Sequence, residues 1–138
     1  MPCGYHVSLE DGLVTVTGAD QLDPQQLVAL GKQILADPSF HPKLPHLVDL
    51  RGLLMTLDPE SDQSMKTFFL KSYRSQVRSS IAIVVDDSLD TSIMASLFHV
   101  TCAMEKTELF DQYDQALKWL MRREFAPANP PGAWRSLP

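Results

Sequence analysis

The sequence predicts a single α/β domain: a mixed sheet of about five strands with about four helices packed on it. Two short apolar runs, residues 46–52 (HLVDLRG) and 81–87 (IAIVVDD), indicate buried strands. Helical patterns lie between and after them, the alternation expected when strands pair in parallel through right-handed crossovers. An Asp11-Gly12 turn near the start adds an antiparallel hairpin, so the remainder of the sheet is expected to be mostly parallel.

The N-terminal part of the chain predicts the hairpin and one helix. Apolar and polar residues alternate over residues 5–9 and 13–17, the period of half-buried strands. Asp23 and Pro24 then combine an N-cap residue with a proline at the first helical position. We therefore expect a helix from there to about residue 37.

The central part predicts a covered strand followed by a second helix. Three prolines within residues 37–46 indicate a surface connection, because proline interrupts helices and central strands. The run at 46–52 is apolar on both faces, which is typical of a strand covered by helices on both sides. Asp58 and Pro59 repeat the cap-and-proline signal and open a helix that extends to about residue 77.

The C-terminal part predicts one more strand–helix pair and a tail. Asp90 or a neighbouring hydroxyl caps a helix after the strand at 81–87, and residues 107–110 form a short strand leading to a helix capped by Asp111. Residues 1–125 form the predicted domain. Residues 126–138 contain four prolines and are expected to be an extended tail.

Composition narrows the class of protein. The net charge of −5 argues against a general nucleic-acid binder, which normally carries a basic surface. Cys3 and Cys102 have no metal-ligand spacing and are expected to be reduced thiols. No run is long enough to cross a bilayer and no secretory signal is visible, so we expect a cytoplasmic protein that is not transmembrane.

No pattern predicts catalysis, a metal or a cofactor. The sequence has no GxSxG, HExxH or glycine-rich phosphate loop. One enzymatic alternative stays open, because Asp49, Asp86 and Arg51 follow strands whose carboxyl ends could hold magnesium or a phosphoryl group. The structural reading is that Asp86 caps a turn and Arg51 forms a local ion pair.

Three landmarks carry a resemblance to a known family. The segments VDLRG, AIVVDD and FDQYDQALKWL, the last at 110–120, resemble the SpoIIAA-like proteins of the STAS/SEC14-like group. The resemblance implies a bacterial regulatory domain that binds a partner protein and is switched by phosphorylation at the start of the helix after the third strand. Thr56, Ser61 and Ser64 lie in that region, although the D-S-S-G pattern of the better-known members is absent.

Basic residues offer a second candidate surface. Lys66, Lys71, Arg74 and Arg78 fall within about 140° of one another on an ideal helix and could bind an anion or an acidic partner. Arg51 could grip a phosphate or carboxylate with its planar guanidinium. Self-association is a further option, because the early hairpin leaves a sheet edge for pairing.

Methionine and aromatic side chains offer a third candidate site. If the second and third helices are neighbours, five of their residues could line a pocket for a lipid or another small apolar ligand: Met65, Phe68, Phe69, Met94 and Phe98. The same residues could simply be core. The sequence therefore predicts a non-enzymatic STAS-like interaction module, with an apolar-ligand-binding protein as the alternative.

Overall fold

The computed structural model describes residues 3–55, 58–104 and 106–124, with the backbone alone for residues 122–124. The strands are β1 (Cys3–Ser8), β2 (Leu13–Gly18), β3 (Asp20–Gln21), β4 (His46–Asp49), β5 (Leu53–Leu54), β6 (Ile81–Val84) and β7 (Thr107–Phe110). The helices are α1 (Pro24–Ala36), α2 (Pro59–Thr67), a π-helical segment (Phe68–Tyr73), α3 (Arg74–Gln76), α4 (Thr91–Ala103) and α5 (Tyr113–Glu124). The α2, π and α3 segments follow one another without a break, so these elements make four helices.

The main sheet confirms the predicted α/β class. It has five strands in the order β1-β2-β4-β6-β7, with β1 antiparallel to β2 and every other neighbouring pair parallel. Gly12 has a φ of +66° in the hairpin turn between β1 and β2, a conformation that glycine adopts without strain. The two-residue strands β3 and β5 pair separately. They were not predicted, because two residues carry no periodic signal.

The connection order decides which face each helix covers. The parallel strands follow one another across the sheet, so right-handed crossovers place α1, α2 and α4 on one face. We call this the three-helix face. The helix after the last strand, α5, packs on the opposite face, which we call the α5 face. Strand β6 shows the alternation: Ile81 and Ile83 belong to the core of the three-helix face, whereas Ala82 and Val84 pack against α5.

Local capping signals predicted most helix starts correctly. The carboxylates of Asp23, Asp58 and Asp90 accept hydrogen bonds from the first-turn backbone N–H groups of α1, α2 and α4. The prediction for α5 was wrong. The carbonyl of Gln112 accepts the first helical hydrogen bond, from Ala116 N, so Asp111 lies before the cap position.

The second helix departs from the regular α-helix that its sequence predicts. Its middle turn is π-helical, and a π turn places residues i and i+5 next to each other. The ring of Tyr73 therefore contacts both Phe69, at 5.5 Å between ring centroids, and Phe68, at 6.1 Å. The widened turn lets two consecutive phenylalanines pack on one tyrosine.

Within the described ranges, no helix is long and apolar enough to cross a membrane. The predicted tail, residues 126–138, lies outside the described residues.

Candidate functional site

A long surface groove between α1 and α2 is the candidate site, and we call it the α1/α2 groove. It has a volume of about 970 Å³. Its lining comes from α1 on one side and from α2 and the π segment on the other: Pro24, Gln25, Val28, Ala29, Lys32, Asp58, Glu60, Ser61, Gln63, Ser64, Met65, Thr67, Phe68, Lys71 and Ser72. Members of all three candidate sets predicted from the sequence meet here: the hydroxyl, basic and apolar residues.

A glycine on α1 lets the two helices approach closely enough to form this groove. A Cβ atom built on Gly31 would lie 2.7 Å from Cε2 of Phe68, well inside van der Waals contact. The ring of Phe68 therefore packs directly against the α1 backbone. Lys32, one residue further on, lies with its Nζ 6.0 Å from the Phe68 ring centroid, at the outer limit of a cation–π contact.

Charge changes sign along the groove. At the N-terminal end of α2, Asp58 and Glu60 are exposed carboxylates. At the other end, Lys32 and Lys71 are exposed cations. Apolar side chains, including Val28 and Phe68, lie between the two ends. The groove thus has opposite charges at its ends and an apolar middle.

Ser61 lies at the acidic end and is part of the helix cap. Its N–H donates to Asp58 Oδ1 at 2.7 Å, and its hydroxyl donates to Asp58 Oδ2 at 3.1 Å. These bonds hold the pKa of Asp58 below its ordinary value. A phosphate on Ser61 would sit beside Asp58, Glu60 and Asp62 and would be repelled by them.

The other two predicted phosphorylation candidates differ in position. Ser64 is exposed on the wall of the groove, one turn along α2 from Ser61. Thr56 lies outside the described residues. Ser64 is therefore the described candidate hydroxyl that faces the groove without a role in the helix cap.

The four predicted cations have different local surroundings. Lys66 forms an ion pair within α2, where its Nζ lies 3.0 Å from Asp62. Asp62 also accepts a hydrogen bond from the buried Ser96 of α4. Burial raises the pKa of Asp62, but the bonds from Ser96 and Lys66 outweigh it and leave the pKa below its ordinary value. Asp62 therefore joins α2 to α4, and Lys66 is paired with it.

Arg74 and Arg78 lie outside the α1/α2 groove, near the amino ends of β6 and β7. With Lys106 they border a depression of about 230 Å³. The prediction of a single arc assumed an ideal helix, whereas the π turn rotates the residues that follow it and the helix ends at Gln76, before Arg78. Of the four, only Lys71 lines the α1/α2 groove.

Arg51 occupies a local ion pair. Its Nε and Nη2 donate to the two oxygens of Asp49 at 2.9 and 2.8 Å, and its guanidinium carbon lies 5.1 Å from the Tyr113 ring centroid on α5. The hydrogen bonds from Arg51 lower the pKa of Asp49. Two of its donors and one face of its guanidinium are thus used within the protein.

Asp86 also has structural partners. One carboxylate oxygen accepts from Gly52 N at 3.1 Å, and the other accepts from Ser88 N at 3.0 Å and from the Ser88 hydroxyl. These bonds join the turns after β4 and β6. In the described part of the chain, no three potential ligands of the Asp, Glu, His or Cys type cluster closely enough to hold a metal ion.

An apolar cavity of about 90 Å³ lies under the three helices, between them and the sheet. Of the five predicted pocket residues, Met65 and Phe69 line it, whereas Phe68 lines the groove. Met94 is half-buried at the edge of the core and Phe98 is exposed. The structure therefore brings two of the predicted five to the cavity and adds residues of α1, including Leu30 and Ile34.

A buried polar pair beside this region was missed by sequence reasoning. His46 Nδ1 and the Tyr73 hydroxyl share a hydrogen bond of 2.9 Å, and both side chains are buried. His46 Nε2 is buried and has no hydrogen-bond partner among the described residues. Burial lowers the pKa of His46 to about 4 and raises that of Tyr73. No local pattern links two residues 27 positions apart, so the sequence holds no signal for this pair.

The α1 side of the groove was also missed. Lys32 is the single charged residue within Pro24–Ala36, and an isolated charge on an otherwise neutral helix was the available signal.

Comparison with known proteins adds no assignment, since no protein-family model and no curated protein matches the chain.

Proposed function

We propose that the protein is a non-enzymatic, STAS-like regulatory module of the SpoIIAA-like type that binds a partner protein in the α1/α2 groove. One observation carries the proposal: the groove collects Ser64, Lys71, Met65 and Phe68, members of each set predicted for regulation, charge recognition and apolar contact. The fold, a mixed sheet with an N-terminal hairpin, is compatible with the family resemblance.

The charges and the apolar middle of the groove define the kind of partner segment that it would bind. A bound segment places acidic residues at Lys32 and Lys71, an apolar side chain over Phe68, and a basic or polar residue at the Asp58 end. Such complementarity controls the association rate and the choice of partner more than the total affinity. The apolar contact supplies the remaining affinity.

Site-specific photo-crosslinking tests the location of the partner. A photoreactive amino acid at Ser64 should capture the partner in cells, whereas the same amino acid at Gln115, exposed on α5, should not. Equal capture at both positions would count against the groove.

A charge reversal then tests recognition with the purified partner. Lys71→Glu should raise Kd by about tenfold, and the matched reversal Lys118→Glu on α5 should leave it unchanged. Ser61→Ala should also leave Kd unchanged, because its hydroxyl serves the helix cap. If Lys71→Glu and Lys118→Glu have equal effects, the proposed groove is wrong.

A second candidate function rests on the apolar cavity. At about 90 Å³ it is smaller than typical ligand pockets of about 300–1,000 Å³. It is therefore suited to a small apolar molecule, and a lipid chain would require the helices to separate. Native mass spectrometry of the freshly purified protein tests this function: a mass excess would support it, and an unliganded mass would favour the interaction module.

A further inference from the structure

The outward side of α4 has an unusual surface. Helix α4 lies at the end of the three-helix layer and connects β6 to the edge strand β7. Its exposed residues include Ala95, Phe98, His99 and Cys102. Phe98 is 62% exposed and is one of three exposed large hydrophobic side chains in the described part of the chain.

Formal charge is absent from this helix. Residues 91–104 contain no Asp, Glu, Lys or Arg, whereas residues 59–76 contain five and residues 113–124 contain five. A helix that is apolar around most of its circumference is typically covered by protein. A single exposed phenylalanine would need no explanation, but an entire uncharged and partly apolar helix side does.

We propose that this side of α4 binds a second copy of the chain, α4 against α4 about a two-fold axis. The charge of the protein favours this occupant. In a two-fold contact each residue meets the same surface of the other copy, so a chain of net charge −5 would usually bring like charges together. The α4 surface avoids this repulsion. Because α4 contains no Asp, Glu, Lys or Arg, burying it does not leave any such side chain unpaired.

Side-chain sizes also fit self-association. Ala95 and Phe98 are one turn apart on the exposed side, a small residue beside a large one. In an antiparallel pair, Phe98 of each copy can pack over Ala95 of the other, the large-into-small arrangement of packed helices. The contact is limited, because a helix of 13 residues is about 20 Å long. The interface therefore falls below the usual 1,200 Å² or so, and we expect dissociation in the micromolar range.

Sedimentation velocity across low-micromolar to near-millimolar protein tests the proposal. The wild-type chain should form dimers as concentration rises, and Phe98→Glu should raise the dimer Kd by at least tenfold or so while circular dichroism stays unchanged. Leu9→Glu is the matched control, because Leu9 is 66% exposed in the hairpin turn beside the edge strand β1. It should leave the dimer intact. A wild-type monomer at every concentration, or a dimer lost with Leu9→Glu and kept with Phe98→Glu, would overturn the proposal.

A charge-pair experiment tests the two-fold arrangement itself. Phe98→Glu and Ala95→Lys should each be monomeric, and their equimolar mixture should recover dimers, since the carboxylate introduced in one copy then meets the ammonium introduced in the other. A mixture that stays monomeric would refute the arrangement. Lys71→Glu should not change dimerisation, so this proposal and the proposed groove can fail independently.

Discussion

The two faces of the sheet are packed differently. On the α5 face, one helix lies on small and aliphatic side chains, and Ala82, Val84 and Ala116 are completely buried. On the three-helix face lie the apolar cavity, the π-helical segment and the buried His46–Tyr73 pair. Every departure from regular packing described above, apart from exposed loops, occurs on that one face.

The difference follows from how many elements must fit together. A single helix can adjust its position until its contacts with the sheet are close. Three helices share one face and are each fixed by two strand connections, so they cannot all reach their best position at once. The remaining space is filled by local devices such as the π turn or stays empty as the cavity. The helices and side chains of the three-helix face therefore have more room to shift. The same face also carries the proposed binding groove.

The largest expected effect is the response of the three-helix face to acid. His46 has a pKa of about 4 in the folded protein, against an ordinary 6.5, because it is buried. The unfolded chain takes up this proton as pH falls below about 6.5, and the folded protein does not. The free energy of unfolding should therefore decrease between pH 6.5 and 4, by about 3 kcal/mol in total. Urea denaturation at a series of pH values measures this decrease.

Two variants test whether His46 causes that pH dependence. His46→Phe should remove most of the slope between pH 6.5 and 4.5. His6→Asn, which changes an exposed histidine on β1, should keep it. An unchanged slope in His46→Phe would show that another group is responsible.

A matched pair of enlargements compares the two faces directly. Val84→Ile adds a methylene to the completely buried α5 face and should lower the free energy of unfolding by about 2 kcal/mol. Val100→Ile adds the same group at the wall of the cavity and should raise it by up to about 1 kcal/mol. Chemical denaturation of both variants gives the comparison. Equal losses would mean that the cavity cannot accept the extra group.

The buried hydrogen bond should have a smaller effect. Tyr73→Phe leaves both ring nitrogens of His46 without a partner and should lower the free energy of unfolding by about 1.5 kcal/mol. Tyr5→Phe is the control, because the Tyr5 hydroxyl donates to Asp37 at 2.7 Å in a more exposed position. Tyr5→Phe should lower the free energy of unfolding by less than Tyr73→Phe does. If both variants are equally stable, the buried pair adds no more stability than a surface hydrogen bond.

The smallest expected effect concerns the contact between α2 and α4. Ser96→Ala removes a buried hydroxyl that donates to Asp62 and should lower the free energy of unfolding by about 1 kcal/mol. Ser92→Ala removes an exposed hydroxyl on the same helix and should cost less. Thermal denaturation of both variants checks the order, and a larger loss for Ser92→Ala would contradict it.

The sequence predicted part of the candidate site for reasons that the structure makes clear. Met65 and Phe69 are four residues apart on one helix stripe, and both reach the cavity. Lys66 and Lys71 were predicted to lie on one arc, but Lys66 pairs with Asp62 whereas Lys71 lines the groove. The apolar stripe could be predicted from its spacing, whereas the partner that each cation meets could not.

The sequence alone determined the class of the fold, the order along the chain of the helices and of the five main-sheet strands, and three of the four helix starts. Hydrophobic period and N-cap residues act between near neighbours, so they are visible without a structure. Tertiary structure decided the π turn, the bond between His46 and Tyr73, and the meeting of Lys32 with Phe68 across the groove. These depend on how whole helices share one face of the sheet, and such contacts join residues far apart in the chain, which no local pattern encodes.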